Sequence, residues 1–185
     1  MTTETDRAAP LVWGHGSRVL EAFLEPTCPF CARAYPKLFE LLTEVGESKL
    51  TLKIRLHSQP WHLFSGIVTR AIIAASTLPD GREAADRVMQ TVFAHREDYE
   101  FEKHAAGPNL DRTPMDILAL IESQSGIHVA TRFVIPGLDT DMKWHAKYAR
   151  QNGIHVSPTF MVDGLIAANM GSGDTIEKWK TDLRL

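Results

Sequence analysis

The stretch Val19-Leu20-Glu21-Ala22-Phe23-Leu24-Glu25-Pro26-Thr27-Cys28-Pro29-Phe30-Cys31 decides how the rest of the chain is read. An apolar run, Val19 to Leu24, meets a turn at Glu25-Pro26-Thr27, and a helix is expected from there to about Val45. Cys28 and Cys31 are the only 2 cysteines in the chain. At a helix start their spacing puts both sulfurs within one turn, where they can alternate between a dithiol and a short-loop disulfide. Cys28 falls at or near the N-cap, where unpaired N–H groups and the positive end of the helix dipole favour the thiolate. Pro29 suits the first helical position, because its φ fits and its missing N–H had no partner to lose. These features point to redox chemistry over three alternatives. A zinc site would need a second CxxC or a histidine pair at the usual finger distance from the cysteines, and neither is present. A purely structural disulfide closing so small a loop would constrain the unfolded chain little. Two inert buried thiols would not call for a proline between them at a helix start.

Composition sets the class. The 185 residues suit one domain, or one domain carrying a large insertion. With 44% hydrophobic and 23% charged residues the chain has the material for a real core. Its net charge of −3, without a basic run, argues against nucleic acid as a partner. No apolar run approaches the ~20 residues that span a bilayer, so no membrane role is expected. Met1 to Asp6 is polar and acidic and lacks the apolar segment of a secretory signal. The expectation is a cytoplasmic protein, where the glutathione pool would keep the cysteine pair reduced.

Outward from the motif, residues 1–9 read as a disordered tail and Leu11 to Trp13 as a short edge strand. The helix after Cys28 carries Phe30, Ala34, Leu38, Leu41, Leu42 and Val45 on one face and ends at Gly46. Pro36 should kink it, since the Ala32 carbonyl loses its donor. Lys49 to His57 alternates, with Leu50, Leu52, Ile54 and Leu56 on one side, as a half-buried strand near an edge does. From Pro60 to Pro136 the signal is helical. Leu63 to Ser76 forms one helix, weakened at its start by Gly66. Asp80 and Glu83 look like a capping box for a second, with Ala84/Ala85, Val88/Met89 and Val92/Phe93 inward. Thr113-Pro114 opens a third. His128 to Val134 is ambiguous between helix and strand, and Asp139 or Thr140 caps a helix to about Asn152-Gly153. Thr159 to Val162 and Leu165 to Ala168 flank Asp163-Gly164, a hairpin signal. A last helix follows Gly171-Ser172-Gly173-Asp174.

This order, with these residues, resembles the thioredoxin superfamily and within it the DsbA-like thiol-disulfide oxidoreductases. The resemblance rests on Cys28-Pro29-Phe30-Cys31, on Pro36 eight residues after the first cysteine, on Ser157-Pro158-Thr159-Phe160 before a hairpin strand, and on the helical block between Pro60 and Asn152. Gln59-Pro60-Trp61-His62 is also similar to less characterised members of that branch. The resemblance implies an α/β thioredoxin fold, βαβ then ββα, formed by residues 11–59 and 139–185, with an all-helical insertion over 60–138. It implies that Cys28 is the exposed nucleophile and Cys31 the buried resolving thiol. It further implies that Pro158 is cis and that the Ser157 backbone pairs with an extended substrate, with Pro29 and Phe30 supporting the site. No bound cofactor and no metal are implied, and the expected partners are protein or small-molecule disulfides and dithiols, glutathione among the candidates. Oligomeric state is not legible.

One position departs from the pattern: where many members carry a buried acid six residues before the first cysteine, this chain has Ala22. Glu25 is the nearest carboxylate and a candidate proton relay, although a solvated glutamate at a strand end is the simpler expectation. His155, His57 and His62 read as surface or loop polarity, Trp61 and Phe64 as core, and Tyr99 and Phe101 carry no signal. Two other functions stay open. A glutathione-linked transferase or isomerase of the same fold usually dispenses with the cysteine pair, and a CxxC protein holding zinc or a cluster across a dimer would be metal-loaded.

Overall fold

Alternating and continuous apolar strands build one mixed sheet. In a computed structural model describing residues 7–100 and 106–185, its five strands run β1-β3-β2-β4-β5: β1 (Val12–Trp13), β2 (Arg18–Leu24), β3 (Leu50–Leu56), β4 (Thr159–Val162) and β5 (Leu165–Ile166). β2 and β3 are parallel, joined by α1 (Pro29–Val45), and the other pairings are antiparallel. β3 lies one strand in from the edge, as its alternation implies. Asp163 and Gly164 turn the β4–β5 hairpin with φ of 49° and 83°, the left-handed pair of a type I′ turn.

The helices are α2 (Ser65–Ala75), α3 (Gly81–Ala94), a 3₁₀ turn (Arg96–Tyr99), α4 (Pro114–Ser125), α5 (Ala130–Phe133), α6 (Leu138–Gln151) and α7 (Ile176–Leu183). Leu20, Ala22 and Leu24 point to the face covered by α1, where the buried cluster continues without a break into Val68, Ile72, Val88 and Ile121 of the helical segment. Phe160 packs on Trp179 of α7 with ring centroids 5.3 Å apart. Phe23 points to the other face and joins Met161, Ala149 and Ile154 under α6. Beside it Glu21, also buried, is bonded to Arg55 and to the Tyr148 hydroxyl at 3.0 Å.

Several local expectations are corrected. Asp80 precedes α3 but makes no capping bond. At φ −97° and ψ 34° its backbone is not in the extended form that turns a side chain back onto the first turn, and Glu83 bonds Arg82 instead. The capping box forms at Thr113 and Asp116 of α4. The ambiguous His128–Val134 stretch holds the short helix α5. α2 begins at Ser65, and α6 begins at Leu138 after Gly137, while Asp139 pairs with Arg70. Of the expected tail, residues 1–6 lie outside the described residues. Ala9, by contrast, donates to the Ser76 carbonyl at 2.8 Å and Ala8 packs on the core. Phe101 also lies outside the described residues.

Candidate active site

Cys28 is the N-cap of α1, in extended conformation at φ −77° and ψ 129°, and Pro29 occupies the first helical turn. The turn before it is fixed by the Cys28 N–H, which donates to the Glu25 carbonyl at 3.2 Å. Both cysteines are free thiols. Cys31, one turn in, has no exposed surface, and the Glu25 N–H points at its sulfur from 3.3 Å. Cys28, expected to be exposed, is only 6% exposed. The loop before β4 explains this, because the Ser157 carbonyl oxygen lies 3.7 Å from the Cys28 sulfur. The Ser157–Pro158 bond is cis. The Thr159 hydroxyl bonds the Val156 carbonyl at 2.7 Å and pins that loop from within.

The two sulfurs differ electrostatically. A hydrogen bond from the Cys31 thiol lowers the Cys28 pKa to about 6, helped by the backbone N–H groups of Cys31 and Phe30 against the effects of burial and the Glu25 charge. Burial first, and then the neighbouring Cys28 sulfur, push Cys31 well above the ordinary thiol range. At neutral pH the pair therefore presents one thiolate and one thiol.

Glu25, His62 and His57 take positions that differ from those expected. Glu25, expected at a solvated strand end, is fully buried beside the cysteines. Its carboxylate accepts the Thr27 N–H at 2.9 Å and the Thr27 hydroxyl at 3.0 Å. His62, expected as loop polarity, brings Nδ1 to 3.0 Å from the Thr27 hydroxyl and 3.6 Å from Glu25. His57 is buried rather than surface-facing. The same loop reaches the other half of the site, since Gln59 Nε2 donates to the His155 carbonyl at 3.2 Å. A signal for this did exist: Gln59, His62 and Ser65 are polar residues packed tightly around a proline, more than a plain connector needs. Trp61, expected in the core, is 59% exposed, whereas Phe64 is buried as expected. Phe30 is also largely exposed, as are Leu63 and Val156. These apolar side chains come from the three segments that meet at Cys28.

Among the described residues, no group of three or more His, Cys, Asp or Glu side chains is placed to hold a metal ion. No helix there is long and apolar enough to cross a membrane.

A reactive thiolate with a protonated partner one turn along the same helix defines a dithiol–disulfide exchange site. The sheet and helix around it define the thioredoxin fold. A family model described as thioredoxin matches residues 14–180, and the chain belongs to that family. A crystal structure of a candidate protein-disulfide isomerase from Pseudomonas syringae is 57% identical with a TM-score of 0.93, over 94% of this chain and 97% of that one. DsbA2 from Pseudomonas aeruginosa is 18% identical with a TM-score of 0.63, over 91% of this chain and 90% of that one. The thiol-disulfide exchange protein α-DsbA2 from Wolbachia pipientis is 15% identical with a TM-score of 0.66, over 94% of this chain and 84% of that one. These last two likenesses concern the fold alone. No curated protein matches the chain.

Proposed function

We propose that the protein is a dithiol–disulfide oxidoreductase working through Cys28 and Cys31 without a bound cofactor. The observation that carries the reading is the geometry of the pair: Cys28 caps α1 with its sulfur 3.7 Å from the Ser157 carbonyl, and Cys31 lies one turn in with no exposed surface, an asymmetry that lowers the first thiol and raises the second. The Cys28 thiolate attacks a substrate disulfide, forming a mixed disulfide and releasing the first substrate sulfur as a thiolate. Cys31 then gives up its proton, its sulfur attacks Cys28, and the second substrate sulfur leaves. Two electrons pass from the cysteine sulfurs to the substrate, and the reverse sequence oxidises a dithiol.

Protein disulfides are the substrate class that the surroundings favour. The exposed Phe30, Trp61, Leu63 and Val156 offer apolar contact around Cys28, as a peptide segment needs and a small polar disulfide does not. The backbone of Ser157 beside the thiolate is the element an extended substrate would pair with. The segment 60–138 takes part in choosing the substrate, because its first loop, through His62, borders the cysteine pair.

The test is exchange in both directions on a disulfide-bridged and a reduced test protein. The wild type is expected to catalyse it, Cys28→Ser to abolish it, and Cys31→Ser to accumulate mixed disulfides. Full activity in Cys28→Ser would overturn the reading.

A further inference from the structure

Glu25 is a carboxyl group with no exposed surface and, among the described residues, its only ion-pair partner is an imidazole. It accepts from the Thr27 N–H at 2.9 Å and from the Thr27 hydroxyl at 3.0 Å. A carboxylate taken out of water without a cation is costly, and the usual relief is to share or keep a proton. The Thr27 hydroxyl has one hydrogen and lies 3.0 Å from both carboxylate oxygens and 3.0 Å from His62 Nδ1. If it donates to Glu25, Nδ1–H of His62 donates to it, giving a continuous path from imidazole to carboxylate. The imidazole is the end of that path open to water, its side chain being 17% exposed. Through its backbone, Glu25 also touches both cysteines, accepting from the Cys28 N–H and donating toward the Cys31 sulfur.

We infer that Glu25 and His62, linked by the Thr27 hydroxyl, form a proton-sharing pair that sets the charge facing Cys28, so that forming the thiolate is coupled to the protonation of the pair. The inference rests on the exchange chemistry proposed above and names the positioning residues of that site. With one proton on the pair, Cys28 faces no net charge. Once the pair loses it, a carboxylate faces the thiolate and opposes it. The pair supplies no electrons and forms no bond to sulfur; it only holds a proton or passes it to water. The titration directions agree with this placement. Burial raises Glu25 and lowers His62, and the Glu25 and Cys28 charges oppose one another while Cys28 attracts a protonated His62. The other groups facing the pair are Cys31 from α1, Ser65 from α2, and Arg96 from the 3₁₀ turn, the last engaged with Glu97 and Glu100. His57 instead faces His155 and Arg150.

The test uses the full chain and the variants Glu25→Gln, His62→Gln and the double variant. It reads the ultraviolet absorbance of the thiolate against pH, and the equilibrium with a glutathione redox buffer. Removing the carboxylate should let the thiolate form at lower pH and shift the glutathione equilibrium at least about threefold toward the dithiol. Removing the imidazole should shift both readouts the other way, and the double variant should fall short of the sum. Thr27→Val keeps both charges and removes only the bridging hydroxyl, so introducing Glu25→Gln and His62→Gln into that background should give additive shifts. A purely structural role would lower thermal stability and leave the thiolate titration in place. Unmoved titrations, or shifts of one sign in both single variants, would overturn the pairing. If the wild type shows no disulfide exchange, the proposed function fails instead, whatever the titrations show.

Discussion

The Cys28 sulfur lies 3.7 Å from the carbonyl oxygen of Ser157, 129 residues further along the chain. The contact brings the start of α1 against the loop before β4, so the reactive sulfur opens onto a narrow surface rather than bulk water. Alkylation of the reduced protein should therefore label Cys28 ahead of Cys31, at a rate that rises with pH through about 6 and then levels off. Faster labelling of Cys31 in a peptide map would reverse the assignment. The stability of the reduced form follows the same shift. Between about 6 and the ordinary thiol value of 9.0 the unfolded chain holds a proton on Cys28 that the folded chain has released. Folding stability should thus rise with pH across that window and be lost as pH falls through its lower end.

On the opposite face of the sheet, Arg55 bonds Glu21 at 2.6 Å and lies over the rings of Trp144 at 4.8 Å and Tyr148 at 5.1 Å. Glu21 is buried, so Arg55→Met would leave a carboxylate without its cation. The expected loss is about 3–5 kcal/mol in urea unfolding. Glu21→Leu combined with Arg55→Met should lose clearly less than the single change, since no charge is then stranded. A double variant as unstable as Arg55→Met would show that the ring contacts, rather than the ion pair, carry the effect.

His145 reports on acid stability. Burial, with the Arg55 charge behind it, lowers its pKa to about 4, and its Nδ1 accepts the Leu56 N–H at 3.2 Å. That bond requires a bare nitrogen. Below its ordinary 6.5 the unfolded chain binds a proton here that the folded chain refuses down to about 4. Stability should be full above 6.5 and decline as pH falls through this window. His145→Gln should flatten that decline, measured as unfolding free energy against pH. An unchanged slope would assign the acid sensitivity to His57 and His62, which burial also shifts down.

Two glycines should respond oppositely to alanine. Gly66 lies in the first turn of α2, where an added Cβ meets nothing within 4 Å, so Gly66→Ala should stabilise by about 0.5–1 kcal/mol. At Gly16 the same atom would lie 1.9 Å from the Lys49 backbone carbon, against the strand start. Gly16→Ala should lower the melting temperature by several degrees or prevent folding. Equal melting temperatures for the two variants would contradict this packing.

The helix over the cysteines was legible from the sequence because its signals are local: two cysteines one turn apart, a proline at the first helical position, and an apolar face ending at Gly46. The β3 alternation and the Asp163-Gly164 turn were legible for the same reason, since strand period and left-handed φ are properties of neighbouring residues. The misread cap of α3 was a local signal as well. Asp80 and Glu83 have the composition of a capping box, but the backbone angles that decide whether the side chain reaches back are set by how α3 packs. Glu25 and His62 were misread for a different reason. Thirty-seven positions separate them, and the sequence shows each only as a polar residue in a turn. Their burial, their meeting through Thr27 and their closeness to Cys28 arise when the loop opening the helical segment folds down on the start of α1. The sequence by itself determined which atoms do the redox chemistry, because sulfur reactivity needs only a thiol pair and a helix start. Which protons and charges surround those atoms was decided by tertiary structure alone, because desolvation and electrostatic coupling depend on distances that adjacency in the chain does not set.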